Sequence, residues 1–341
     1  MLNTIYRLIE PRKIEVEFNE LDLSKDNVIV RPTHLSICNA DQRYYQGKRD
    51  PEALAKKLPM ALIHEGIGTV VYDGKGQFKE GQTVVMIPNT PVEKDSVIAE
   101  NYLRSSKFRA SGFDGFMQDN VAMDRDRLVE LPEEIDKNVA AFIEIISVSH
   151  HAINRFESLS HGRKEHIAVW GDGNLAFITA LQLRYKYPDA KLYVMGLVRE
   201  KLSEFTFTDE TYHIREIPED IVIDHAFECV GGEGSPKAIN QIIDYIKPEA
   251  TISILGVSEN PVPINTRMIL EKGLRVFGSS RSGRKDFQDT VDMLTQHPEM
   301  VEHLKNIVGD VVLVKSIEDM HTAFEKDISK AYGKTIMLWN V

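Results

Sequence analysis

Cysteine is nearly absent from this chain: 341 residues carry two, Cys38 and Cys229. One disulfide at most could form, so no cystine scaffold holds the fold, and a reducing cytoplasm is the expected compartment. Long apolar runs are missing too, and none approaches the ~20 residues that span a bilayer. The opening stretch, Met1 to Lys13, lacks the basic-then-apolar build of a secretory signal. Positive charge is in deficit: 41 Lys and Arg face 52 Asp and Glu, a net charge of -11. That excludes non-specific nucleic-acid binding, which needs a basic surface, but leaves room for a local basic pocket.

What is present fits a globular α/β chain. Hydrophobic residues make up 42% and charged residues 27%. The length exceeds one ordinary core and suits two domains. Up to about residue 140 the texture is β-rich: Lys13–Phe18, Asn27–Arg31, Gly68–Tyr72 and Thr83–Ile87 are short segments rich in β-branched residues, punctuated by Gly and Asp. Val92–Ala110 is polar and reads as an exposed excursion. Val139–Phe156 has helical periodicity. Strand and helix patterns then alternate: His166–Trp170, Ala176–Tyr185, Lys191–Met195, Asp224–Cys229, Ser235–Ile246 and Thr251–Leu255. This alternation predicts a parallel sheet covered on both faces.

One glycine loop sits inside that alternation. Gly171-Asp172-Gly173-Asn174-Leu175-Ala176 fits G-x-G-x-x-A, with a strand before it and a helix after it. Gly171 permits the tight turn, Gly173 the close approach of a pyrophosphate, and Ala176 close packing of helix on strand. Amides at Asn174 and Leu175 would face the phosphates. The pattern points to a dinucleotide. The second strand ends at Met195-Gly196 without the acid that holds an NAD ribose, and Arg199 and Lys201 come soon after. Those cations suit a 2′-phosphate, so NADPH is expected over NADH.

Residues suited to a metal are scattered through the first part. Cys38, His64 and Glu144 could give Zn²⁺ three protein ligands and leave one position open, with Glu65 behind them or exchanging as a fourth ligand. A lone cysteine is as readily a small core residue, and this spacing forms no recognised zinc pattern.

The wider set of motifs resembles the medium-chain zinc-dependent alcohol and polyol dehydrogenases. It comprises Ser36-Ile37-Cys38-x-x-Asp41, His64-Glu65-Gly66-x-Gly68, Phe78-x-x-Gly81-x-x-Val84, Gly112-Phe113-Asp114-Gly115-Phe116, Glu144 before Val148–Ala152, the glycine loop, and Phe227-Glu228-Cys229-Val230-Gly231-Gly232. The resemblance covers essentially the whole chain. It implies a GroES-like catalytic domain over 1–143, a Rossmann doubly wound sheet over 144–281, and a return to the catalytic domain over 282–341. It also implies that Cys38, His64 and Glu144 bind a catalytic zinc, with Glu65 the exchangeable ligand. Two departures stand out. No cysteine lies between Tyr72 and Phe116, so a single zinc is expected and no structural one. Ala40 stands where relatives start a proton relay with Ser or Thr, which leaves a zinc-bound water, Glu65 or Tyr44 as donors.

Within the family the chain is similar to the branch that serves ribitol teichoic acid synthesis and reduces D-ribulose 5-phosphate to D-ribitol 5-phosphate with NADPH. Cys38–Tyr45, Pro88–Pro91 and Gly278–Gly283 carry that likeness. It implies a sugar-phosphate substrate, a homodimer joined near Leu274–Ser279, and a cytidylyltransferase as a partner. Arg43 and Arg281 are the arginines expected at the substrate phosphate. Two other readings are a dehydrogenase of another polyol with the same mechanism, and a non-catalytic module that senses NADPH.

Overall fold

The computed structural model describes residues 1–341, which divide into two compact units. One comprises Met1–Ser147 with Ser282–Val341, the other Val148–Arg281.

The first unit is built on a sheet whose strands run in the order Leu128–Glu130, Thr83–Met86, Glu65–Asp73, Val28–Ser36, Lys334–Trp339 and Val308–Val314. Val121–Met123 also pairs with Val28–Ser36, which makes that strand the hub of the unit. Its proline is accommodated at a register shift between Pro32 and His34, where the ladder needs no amide. A smaller sheet joins Lys13–Glu20, Leu2–Glu10 and Met60–Ala61. Leu2–Glu10 has no counterpart in the sequence reading, because its alternation is broken by Arg7 beside Leu8. The long helical pattern read over Val139–Phe156 is two helices, Lys137–Ala140 and Ile143–Leu159.

The second unit is a six-stranded parallel sheet. Its order is Glu210–His213, Lys191–Gly196, His166–Trp170, His225–Glu228, Thr251–Ile254 and Arg275–Gly278. That is the doubly wound order, in which the chain reverses direction across the sheet beside the first strand. The four inner strands are buried on both faces, so they read as apolar runs rather than alternations. Glu210–His213 carries no strand signature, since Glu-Thr-Tyr-His is polar and lies at a sheet edge.

Two glycines fix the backbone at the loops that carry functional groups. Gly171 has φ +134, and a Cβ there would meet the Cys229 carbonyl oxygen at 3.1 Å and Ala176 Cβ at 3.2 Å. Glycine is therefore required at that turn. In the first unit a Cβ on Gly115 would lie 2.3 Å from the backbone oxygens of both Leu62 and Ile63. The Gly115 amide donates to the Ala61 oxygen at 2.8 Å and the Phe116 amide to the Ile63 oxygen at 2.7 Å. Gly115→Ala should push the Leu62–Ile63 backbone away and move His64 with it. The expected result is a loss of about 3 kcal/mol or more in chemical denaturation, with weakened metal retention. A variant as stable and as metal-loaded as the parent would contradict the reading.

Candidate zinc centre

The turn at Cys38 is set by the end of the hub strand. Cys38 caps the helix Asn39–Tyr45, and its amide donates to Asp41 Oδ2 at 3.1 Å. The other oxygen of Asp41 accepts from the Ile63 amide at 3.0 Å and lies 3.4 Å from His64 Nδ1. One fully buried carboxylate thus ties the Cys38 turn to the His64 turn. It also holds Nδ1 and leaves Nε2 as the nitrogen available to a metal. Ile63 sits at φ +69, a strained conformation for a β-branched residue. It is held there by the Asp41 and Phe116 bonds on its amide and carbonyl, and strain of this kind gathers at functional sites.

Three donors meet: the ligand atoms of Cys38, His64 and Glu65 lie within 4.8 Å of one another. Glu144, in the first turn of Ile143–Leu159, is buried and feels the charges of His64 and Glu65. Its carboxyl is pushed up to about 7, by burial first, with Glu65 adding to the rise and His64 and Lys334 opposing it. Burial alone would lower the pKa of His64, but the charge and hydrogen bond of Asp41, then Cys38, hold it well above the ordinary imidazole value. Thiol, imidazole and carboxylates packed this closely favour an added positive charge, whether a proton or a divalent ion. The donor set is of the kind that suits Zn²⁺.

Two residues of this centre carry roles that the sequence does not reveal. Asp41 is one: it stands in the motif Ser36-Ile37-Cys38-x-x-Asp41, but no role follows from that position alone. Lys334 is the other. Its ammonium is buried and donates to Glu65 Oε1 at 3.0 Å and to the Ile37 oxygen at 2.9 Å. Burial works against its charge, and Glu65 and then Cys38 more than restore it. Lys334 lies 269 residues from Glu65, so no local pattern could have revealed it. The pairing of Ile336 with Ser36 brings it there. Glu65 is therefore both one of the three converging donors and the partner of a buried lysine.

The other residues expected at a site are spread over both units. Tyr44 is buried, and its hydroxyl accepts from Lys57 at 3.0 Å. Arg43 is half-buried in the last turn of Asn39–Tyr45. Arg281, at φ +59, belongs to the second unit. There, Gly173 caps the helix Asn174–Lys186, and a Cβ on it would meet nothing within 4 Å, the open approach a pyrophosphate requires. Beside the acid-free end of the second strand stands an acid that the sequence pattern does not place there. Asp172 Oδ2 accepts from the Leu197 amide at 2.7 Å and the Val198 amide at 2.8 Å. Arg199 donates to both oxygens of exposed Glu216, one at 2.6 Å. Lys201 is half-buried.

Residues 24–133 match the alcohol dehydrogenase GroES-like domain, and residues 191–296 match the zinc-binding dehydrogenase domain. The ribulose-5-phosphate reductase of Bacillus spizizenii is 56% identical over 341 residues, covering all of both chains. The chain belongs to the zinc-binding dehydrogenase family. Ribulose-5-phosphate reductase 1 of Staphylococcus aureus is 55% identical and covered at 99% on each side. The crystal structure of S. aureus TarJ in complex with NADPH superposes on this dehydrogenase with a TM-score of 0.91, at 50% identity, over the full length of both chains.

The geometry of this dehydrogenase makes two tests direct. Lys334→Met leaves the Glu65 carboxylate buried without its counter-charge, which should cost about 3–5 kcal/mol. Removing both partners, in Lys334→Met with Glu65→Leu, should recover most of that in urea denaturation. A single variant within 1 kcal/mol of the parent would rule the pair out as a structural element. Proton binding at Glu144 and His64 also competes with metal. Zinc affinity of the metal-free dehydrogenase should therefore fall throughout the range from pH 8 to pH 6, by roughly tenfold or more in chelator competition, with His64 competing over the whole range and Glu144 adding its proton below about 7. An affinity flat over that range would contradict the assignment of these ligands.

Proposed function

We propose that this dehydrogenase reduces D-ribulose 5-phosphate to D-ribitol 5-phosphate with NADPH, using one zinc ion held by Cys38, His64 and Glu144. The observation that carries the reading is the convergence of Cys38, His64 and Glu65 in a chain 52–56% identical, end to end, to three ribulose-5-phosphate reductases. When bound, Zn²⁺ supplies Lewis acidity to the carbonyl oxygen and NADPH supplies the hydride.

The chain's own residues do the rest. Cys38 and Glu144 bring negative charge to the ion, and Asp41 fixes the ring of His64. Lys334 restrains Glu65, so that its carboxylate stays in reach as an exchangeable ligand without adding an uncompensated charge. Gly171, Gly173, Asn174 and Leu175 receive the pyrophosphate. Arg199 and Lys201 take the 2′-phosphate. Arg199 must leave Glu216 to do so, but an exposed ion pair is worth at most about 1 kcal/mol, and a doubly charged phosphate outbids it. Ala40 supplies no hydroxyl to pass on a proton, and Tyr44 is engaged by Lys57, so that step falls to Glu65 or water.

Two associations belong to the same reading. Arg275–Gly278 is an edge strand with one side unpaired, the place for a homodimer to continue the sheet. The reduced product is what a cytidylyltransferase of ribitol teichoic acid synthesis consumes, so that enzyme is the proposed partner. No helix is long and apolar enough to cross a membrane, and the cytoplasm is the proposed location.

The deciding assay monitors NADPH oxidation with D-ribulose 5-phosphate, with and without chelator. Turnover should require the sugar phosphate, disappear with the metal and return with zinc, and NADPH should be preferred to NADH. Arg199→Ala with Lys201→Ala should cut that preference roughly tenfold or more. Equal rates with xylulose or sorbitol, or undiminished activity after metal removal, would contradict the proposal.

A further inference from the structure

Lys57 closes the helix Pro51–Lys57 and is half-buried. Its ammonium donates to the Tyr44 hydroxyl at 3.0 Å and to Ser111 Oγ at 3.1 Å. Both partners are neutral, and no carboxylate lies within ion-pair distance of this nitrogen. Two acids on the flanking segments have other partners: Asp50 caps the helix through the Glu52 and Ala53 amides, and Asp114 holds Arg7 and the Ala61 amide. A second cation crowds the same ring, since the Arg49 guanidinium lies 4.4 Å from the centre of Tyr44. In a protein of net charge -11, a half-buried ammonium without a counter-charge is an unusual investment.

The hydrogen-bond count says what would complete it. An ammonium has three protons, and Lys57 uses two. The Tyr44 and Ser111 hydroxyls each accept from Lys57, so each keeps its own proton to donate outward. One N–H and two O–H groups are therefore free to converge on a single anion with several acceptor oxygens, and Arg49 adds positive charge beside them. That is the recognition chemistry of a phosphate monoester.

The location agrees. Tyr44 is on the helix that Cys38 caps, about 9 Å further along its axis, and helical side chains lean back toward the helix start. The Ser111 amide donates to the Phe108 oxygen at 3.2 Å, and the ring of Phe108 lies 5.4 Å from that of His64. Lys57 thus bridges two segments, each anchored at a proposed zinc ligand. Five bonds separate C2 from phosphorus in ribulose 5-phosphate, about 6 Å when extended, which is the same scale.

We propose that Lys57, with the hydroxyls of Tyr44 and Ser111, is the subsite that receives the substrate's phosphate; this rests on the reading of the substrate as a sugar phosphate. The test compares Lys57→Met, Lys57→Arg and Ser111→Ala with the parent zinc enzyme. Lys57→Met should raise KM for D-ribulose 5-phosphate by roughly ten- to hundredfold, with kcat within about threefold and zinc content unchanged. Lys57→Arg should recover part of the loss, and Ser111→Ala should show a smaller rise. Inorganic phosphate should compete with the substrate and protect the parent against heat, and Lys57→Met should lose both effects. An unchanged KM, or a fall in kcat at constant KM, would overturn the subsite. If the parent does not reduce ribulose 5-phosphate at all, the substrate reading fails by itself. Protection by inorganic phosphate, present in the parent and absent in Lys57→Met or absent in both, then decides the subsite.

Discussion

The contact on which the centre depends most is the buried ion pair between Lys334 and Glu65. It is possible because the last strand of the chain pairs antiparallel with Val28–Ser36, the strand that ends two residues before Cys38. The same ammonium holds the Ile37 carbonyl, so a single side chain fixes both the backbone before the cysteine and the carboxylate after the histidine. Buried charge of this kind is costly unless each partner is satisfied. Here one lysine answers one of several acidic groups gathered in a small volume, and the remaining negative character is what makes the place attractive to a divalent cation.

Asp41 carries out the complementary task. It gives one oxygen to the Cys38 amide and the other to the Ile63 amide and the His64 ring, and it sits beneath a strained Ile63 backbone. The ligand atoms are thereby placed by buried contacts rather than by loops free to move, the arrangement that keeps a metal site in fixed geometry. Gly115 belongs to the same construction, since only a residue without a side chain lets its backbone close over Leu62 and Ile63.

Legibility in the sequence tracks the range of the interaction. The parallel unit announces itself through strand and helix periods and through the glycine loop, whose chemistry is contained in six consecutive residues. Cys38, His64 and Glu144 are visible as residue types, but the residues alone leave the metal one reading of several. Motif order along the whole chain makes it the favoured one. Lys334 is invisible, because its meaning comes from strand pairing with residues hundreds of positions away. Lys57 stays one cation among many for the same reason: only the fold shows that its partners are hydroxyls rather than carboxylates. The polar edge strand Glu210–His213 lacks the apolar run that marks its neighbours.

The proposed centre is a single zinc bound by one thiolate, one imidazole and carboxylate oxygen. X-ray absorption at the zinc edge, on protein purified without chelator, reads that shell directly. The expected result is about one zinc per chain, with one sulfur neighbour at ~2.3 Å and the remaining neighbours nitrogen or oxygen at ~2.0–2.2 Å. Two or more sulfur neighbours, none at all, or zinc well below one per chain would contradict it.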